Sequence, residues 1–312
     1  MNILLIAGGW SSEREVSLAG AKVVEEGLRK LGHNVKRFDP AASLAGLLEV
    51  AENSDFAFIC LHGSPGEDGL IQAMLETIGC PYQGAGPAAS ILALDKAASK
   101  TLFTKAGLRN APWQLLHALP DRDWQPDLAY PIFIKANTGG SSLHMEKVEQ
   151  AANLYPALER LFAFGSCYLM ESAVTGQEVT CGILGMLQDG EETPQPLPPI
   201  LIRPRSGVVF DYQSKYAPGG AEEICPAPIS RELTGTIQAM ALTAHKILGI
   251  SGYSRADFIL PANNEPVLLE VNTLPGMTAT SLLPQEAAAI GLSFEDLLAR
   301  LIELGLYRQR QP

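Results

Sequence analysis

RADFILPANNEPVLLEVN, residues 255–272, has two apolar arms, 256–260 and 267–271, on either side of a Pro/Asn-rich turn, and this is the composition of a β-hairpin. With the turn centred between Asn263 and Asn264, Asp257 falls opposite Glu270 and Arg255 opposite Asn272. Side chains two apart on a strand share a face, so all four groups sit together. Two opposed carboxylates repel by roughly 0.2 to 1 kcal/mol when solvated, and by more where Phe258, Leu268 and Leu269 exclude water. A bound cation turns that cost into a site. Oxygen donors with no Cys or His beside them suit a hard ion such as Mg²⁺ better than zinc, and Glu270 can bridge two such ions. The pattern points to metal-bound phosphates, with Arg255 as a fixed positive donor for the same anion. The competing reading is a solvated acidic hairpin with a surface ion pair; the apolar arms weigh against it.

Upstream, apolar strands alternate with amphipathic helices: strand 2–7, helix 17–31, strand 34–38, helix 41–52, strand 55–61 and helix 68–78. Such alternation predicts a parallel sheet covered by helices, with ligands beyond the carboxyl ends of its strands. That places Gly8-Gly9-Trp10-Ser11-Ser12-Glu13 and His62-Gly63-Ser64-Pro65-Gly66-Glu67-Asp68 at one rim. Neither loop carries GxGxxG, which excludes a dinucleotide fingerprint, and GxxxxGK[ST] is also missing. A helical stretch over 86–108 precedes a Pro-rich segment, 112–131, that reads as a linker. Strand 131–135 ends in Lys135, and Gly139-Gly140-Ser141-Ser142 leads to a strand candidate at 143–148. Gly and Ser let backbone amides approach a phosphate, although the same turn suits an ordinary hairpin. Helix 148–163, strand 167–171 and strand 178–185 follow, then a polar, Pro-rich surface loop at 187–197. The unpatterned segment 204–220 has the length of a lid. Helix 230–248 leads into the hairpin, and helices 284–290 and 293–304 close the chain.

The 312 residues, 46% of them hydrophobic, can bury a large core spread over two or three domains. A net charge of −11 argues against nucleic-acid partners, so an anionic ligand needs local cations or a metal. No apolar run reaches the ~18 to 20 residues of a membrane span, and the N-terminus lacks the basic region of a signal peptide. Five scattered cysteines without a CxxC pair read as reduced thiols of a cytosolic protein, Cys60 being core and not a nucleophile.

Seven segments in this order carry a resemblance: GGWSSEREVSLAG (8–20), LHGSPGEDGLIQAML (61–75), LALDKAASK (92–100), the GGSS loop, DYQSKY (211–216), RADF (255–258) and EVNTLPGMTATSLLP (270–284). Together they make the chain similar to D-alanine–D-alanine ligases of the ATP-grasp superfamily, over nearly its whole length. The resemblance implies an α/β ATP-grasp fold of three domains: 1–92 for the first D-alanine, 93–176 central, and 177–312 with the metal, the lid and the second D-alanine. ATP would lie between the central and C-terminal domains. Lys96, Lys135, Ser141, Ser142 and Lys215 would contact phosphates, Glu171 and Val174 the adenine, and Glu178 the ribose. Asp257, Glu270 and Asn272 would hold two Mg²⁺ (or Mn²⁺). Glu13 would take the first D-alanine's ammonium, with His62 near it, and Ser281 and Lys215 the second one's carboxylate. Arg255 and the Gly276 backbone would stabilise the tetrahedral intermediate, while Tyr216, Ser141 and Glu13 would link lid, phosphate loop and substrate. The implied biology is ATP-dependent synthesis of D-alanyl-D-alanine for peptidoglycan in the cytoplasm, by a homodimer.

Three departures stand out. His144 replaces a glycine usual in the phosphate loop, Ser172-Ala173 lacks the basic and bulky residues common at the hinge, and Ala136 stands where proline is usual. They leave two alternatives: a ligase with another amino- or hydroxy-acid acceptor, or a nucleotide-binding homologue without turnover. Glu67 and Asp68 either cap the next helix or assist Glu13. His33, His117 and His245 are expected to be ordinary surface or partly buried histidines.

Overall fold

The computed structural model describes residues 1–139, 145–204, 221–278 and 280–310. β1 (Asn2–Ile6), β2 (Asn34–Phe38) and β3 (Phe56–Ile59) form a parallel sheet in the order β2-β1-β3. Ile3 to Ile6 and Phe56 to Ile59 are all buried, as expected of strands covered on both faces. α1 (Arg14–Lys30) turns Ser17, Gly20, Ala21, Val24, Gly27 and Leu28 inward at helical spacing. Beside it lie α2 (Gly46–Glu52) and α3 (Leu70–Thr77).

The stretch expected as one helix over 86–108 is two, α4 (Pro87–Leu94) and α5 (Lys96–Lys105). Asp95 breaks it: its backbone is extended (φ −76°, ψ 100°) and its side chain accepts the Ala98 amide, so an interior position becomes an N-cap. The kink places Lys96 and Lys100 on the first turns of α5.

The linker 112–131 contains a strand, β4 (Trp113–Leu116), at the edge of an antiparallel sheet ordered β4-β7-β5-β6, with β5 (Ile132–Ala136), β6 (Glu146–Val148) and β7 (Tyr168–Ser172). Leu154, Ala157, Leu158 and Leu161 of α6 (Leu154–Phe162) cover it. The surface loop expected at 187–197 is half of a hairpin. β8 (Gln177–Gln188) and β9 (Glu191–Pro196) pair around Asp189-Gly190, both at positive φ (52° and 81°). Asp-Gly is a strong two-residue hairpin signal. The prolines that obscured it, Pro194 and Pro196, lie on a strand that pairs only with β8, where a missing N–H is tolerated.

β8 is the spine of the largest sheet, running β11-β10-β8-β12-β13 with β10 (Ile200–Pro204), β11 (Ala221–Ile224), β12 (Tyr253–Leu260) and β13 (Val267–Asn272). α7 (Arg231–Ile247), started by the Ser230 side chain accepting the Leu233 amide, packs on this sheet with α4 and α5. α8 (Leu282–Ala289) and α9 (Phe294–Gln309) follow, and α9 crosses back to the N-terminal sheet. Leu297, Leu298, Leu301, Ile302 and Leu304 join the core of β1 and β3. Gly27 permits the close contact, since a Cβ there would meet Leu298 at 2.6 Å.

Candidate active site

The hairpin has the expected register at its mouth: Arg255 pairs with Asn272, Ala256 with Val271 and Asp257 with Glu270. A bulge between Asp257 and Phe258 then shifts the ladder by one residue. Around Asp257 the contacts are dense. Arg255 donates twice, Nε to Oδ1 at 2.9 Å and Nη2 to Oδ2 at 2.8 Å, and Asn272 Nδ2 donates to Oδ2 at 3.1 Å. Thr180, on the neighbouring strand, donates its hydroxyl to Oδ1 at 2.6 Å. Burial disfavours the Arg255 charge, but Asp257, Glu286 and Glu270 outweigh it and push its pKa above the usual arginine range. Glu270 lies 3.6 Å from Lys96 Nζ. Among the described residues no three His, Cys, Asp or Glu groups gather as a metal cluster. The hairpin offers two carboxylates and one amide, a hard-oxygen set that leaves coordination positions for a ligand's own oxygens.

This face opens on a cavity of about 580 Å³ whose walls include Glu13, His62, Lys96, Glu178, Arg255, Asp257, Glu270, Asn272, Gly276 and Ser281. Ten expected residues from distant parts of the chain therefore meet at one cleft. Glu13 sits on a loop pinned at several points. Gly8 donates to Ser17 Oγ (2.8 Å), which donates to the Cys60 carbonyl (2.6 Å), while Gly9 donates to Asp39 (3.0 Å). Arg14 grips Asp39 at 2.5 Å and the Gly9 carbonyl at 2.7 Å. Burial pushes the His62 pKa down, only partly offset by Glu13. Across the cleft, Ser281, the residue just before α8, accepts the Thr278 amide on its Oγ at 2.9 Å.

Glu67 and Asp68 make different contacts. Asp68, one residue before the Gly69 N-cap of α3, accepts the Leu70 amide and the Ser64 hydroxyl. Glu67 faces the cleft and accepts the Gly63 amide at 2.7 Å; burial, with Glu13 close by, lifts its pKa to about 7.

Lys135 and Glu171 lie outside the cavity wall, as does Val174, which is half-buried just beyond β7. Lys135 Nζ donates to Glu171 Oε1 at 2.5 Å, and Lys100 Nζ lies 2.9 Å from Glu171 Oε2. Despite burial, which works the other way, Lys135 and Lys100 hold the Glu171 carboxyl down at about 2. Ser141, Ser142, His144, Lys215 and Tyr216 lie outside the described residues.

Sequence reasoning gave no role to Lys100, Thr180 or Glu286. Lys100 is one turn after Lys96, a spacing that signals a shared helix face. Glu286 is fully buried, accepts the Gly182 amide at 2.9 Å, and burial lifts its pKa to about 8. His245, expected at or near the surface, is buried against Ser254 (2.8 Å), and burial lowers its pKa to about 4. His33 is half-buried and His117 exposed, as expected. Cys60 is core, with its thiol pushed up to about 12 by burial.

Two family descriptions match the chain: D-ala D-ala ligase N-terminus over residues 35–85 and D-ala D-ala ligase C-terminus over residues 102–303. The chain belongs to the D-alanine–D-alanine ligase family. A D-alanine–D-alanine ligase from Nitratidesulfovibrio vulgaris (strain DP4) is 60% identical over 306 residues, covering 98% of each chain. One from Lawsonia intracellularis is 52% identical over 311 residues, with both chains fully covered. A D-alanine–D-alanine ligase structure from Bacillus anthracis, complexed with ATP, matches the fold with a TM-score of 0.85 at 32% identity, covering 99% of both chains. The family's ATP-grasp architecture accounts for the three sheets and for a cleft walled by loops of all three.

Proposed function

We propose that this protein joins two D-alanines into D-alanyl-D-alanine, using ATP, through an acyl phosphate. The observation that carries this is the convergence of Glu13, Arg255, Asp257, Glu270, Asn272 and Ser281 on one cleft. In this reading Glu13 holds the ammonium of the first D-alanine. That substrate's carboxylate attacks the γ-phosphorus of ATP, and ADP leaves. The amine of the second D-alanine, whose carboxylate Ser281 and Lys215 hold, then attacks the acyl carbonyl, and phosphate departs. Arg255, oriented by its two bonds to Asp257, faces the oxyanion together with the Gly276 backbone. Lys96 and Lys135 serve the phosphates, with Ser141 and Ser142; Glu171 and Val174 serve the adenine, and Glu178 the ribose. Tyr216 joins Ser141 and Glu13 in closing the site, since an acyl phosphate must be kept from water.

Asp257, Glu270 and Asn272 fit Mg²⁺ or Mn²⁺ as an all-oxygen set in adjacent register positions. When bound, such ions supply neutralisation of the charge that builds on phosphate oxygens. The division into domains 1–92, 93–176 and 177–312 belongs to the same reading, as do a homodimer and a cytoplasmic place in peptidoglycan precursor synthesis. No helix among the described residues is long and apolar enough to cross a membrane.

The test is phosphate release with ATP, Mg²⁺ and D-alanine, with the mass of the product, run against other D- and L-amino acids and D-lactate. Release with a D-alanyl-D-alanine mass is the expected result. Turnover only on another acceptor would reassign the substrate, and silence throughout would leave a nucleotide-binding homologue.

A further inference from the structure

The Glu171 carboxylate has an ammonium group on each oxygen, Lys135 at 2.5 Å and Lys100 at 2.9 Å. All three are buried or nearly so, with side-chain exposures of 7% for Glu171, 14% for Lys135 and 0% for Lys100. At contact distance two ammonium groups face one carboxylate in a water-poor place, an excess of one positive charge, while Glu270 acts on both lysines from farther off. Buried charge is costly unless paired, so a cluster with a net cation is built to receive an anion.

The two lysines are not equivalent. Lys135 sits on β5 outside the wall of the cleft, with part of its side chain open. Lys100 sits on α5, closed off completely, and can touch only its protein neighbours. The charged groups acting on it from the packed elements are Glu171 on β7, Lys135 on β5 and Glu270 on β13. Burial lowers the Lys100 pKa, while Glu171 and Glu270 sustain its charge.

We propose that Lys100 is a positioning residue for nucleotide binding: it remains as the counter-ion of Glu171 when Lys135 turns from that carboxylate to a phosphate. The proposal rests on the ATP-ligase reading above and deepens it at the Lys135–Glu171 subsite. Without Lys100, Lys135 is the sole cation on Glu171 and is held there. Phosphate and carboxylate then compete for one ammonium group. With Lys100 in place, Lys135 is released at little cost and Glu171 stays ionised and fixed.

The test is a set of variants, K100M, K100Q, E171Q and E171Q/K100M, each checked for folding by circular dichroism. Affinity for ATP is measured by calorimetry, and KM separately for ATP and for D-alanine. K100M and K100Q are expected to weaken ATP at least tenfold in both Kd and KM, and to change the D-alanine KM by less than twofold. In the E171Q background, removing Lys100 is expected to change ATP affinity by less than twofold, because Lys135 no longer has a carboxylate to leave. Unchanged ATP affinity in a folded K100M or K100Q would overturn the proposal. So would a loss that persists in full beside E171Q, or an equal loss for D-alanine. If K100M and K100Q do not fold, whether or not E171Q/K100M does, Lys100 is a structural counter-ion and the proposal fails. Wild-type protein that neither binds ATP nor releases phosphate with D-alanine would sink the ligase reading itself, a different result from wild-type binding with an indifferent K100M.

Discussion

At the scale of single residues, the site depends on charges buried next to one another, and each should reveal itself by titration or by loss of orientation. Glu286 links stability to pH. Its carboxyl is raised to about 8 in the fold, so the folded chain keeps a proton that the unfolded chain releases near the ordinary value. The folded state therefore binds more protons between those two pH values, and stability falls as pH rises through that window and levels off above it. The range is on the order of 5 kcal/mol at about 1.4 kcal/mol per pH unit. Glu286→Gln keeps an acceptor for the Gly182 amide and removes the titration, so in metal-free buffer its urea midpoint should drop less than wild type's between pH 5 and pH 8.5. An equal drop would mean that Glu286 is ionised in the fold. Arg255 acts by geometry. Arg255→Lys keeps a positive charge but cannot grip both oxygens of Asp257, and kcat is expected to fall by roughly 10² to 10³ with ATP affinity within a few-fold of wild type. A kcat within threefold of wild type would remove Arg255 from the transition state.

At the scale of elements, what was legible in the sequence depended on whether a local signal was strong enough to outweigh its surroundings. The hairpin at 255–272 could be read because its arms are apolar and its turn polar. Even there the bulge after Asp257, which places two residues opposite one, leaves no mark in composition. Next to the turn Phe258 faces Leu268 and Ile259 faces Val267, which centres the turn on Asn263 and not between Asn263 and Asn264; the expected pairing of Arg255 with Asn272 and of Asp257 with Glu270 holds because the bulge makes up that one-residue difference. The β8–β9 hairpin was obscured by its prolines although Asp189-Gly190 announces its turn. The break at Asp95 could have been found from an Asp preceding an alanine-rich turn. No local signal could have located Lys100 against Glu171, since the two meet only when α5 docks on a sheet strand far along the chain. The turn is testable. Gly190 lies at φ 81°, where an L side chain is strained, so Gly190→Ala should cost about 1 to 2 kcal/mol in chemical denaturation. Gln188→Ala in the adjoining strand should cost less, and equal losses would mean that the turn conformation is not what matters there.

At the scale of the whole molecule, the two ends of the chain share one core, because α9 lies against α1 and the N-terminal sheet that carries Glu13 and His62. The loop carrying Glu13 and the elements carrying Ser281 and Arg255 are thereby held to a common frame. The contact is close enough to be tested by a pair of substitutions. Gly27 faces Leu298, and an added Cβ would come within 2.6 Å of the leucine's Cδ1 and 3.3 Å of Phe294. Gly27→Ala should gain about 1 kcal/mol of helix propensity, but overpacking a rigid interface costs typically 1 to 3 kcal/mol, so the substitution alone is expected to destabilise or break even. Leu298→Ala, at a fully buried leucine, is expected to cost about 2 to 5 kcal/mol. With the leucine shortened, the alanine at 27 fills part of the space left behind, so Gly27→Ala should become stabilising in the Leu298→Ala background. The coupling between the two, read from urea midpoints of the four proteins, should exceed about 1 kcal/mol. Additive effects would mean that α1 and α9 do not bear on each other at this point, and that some other contact keeps the N-terminal rim in register with the hairpin.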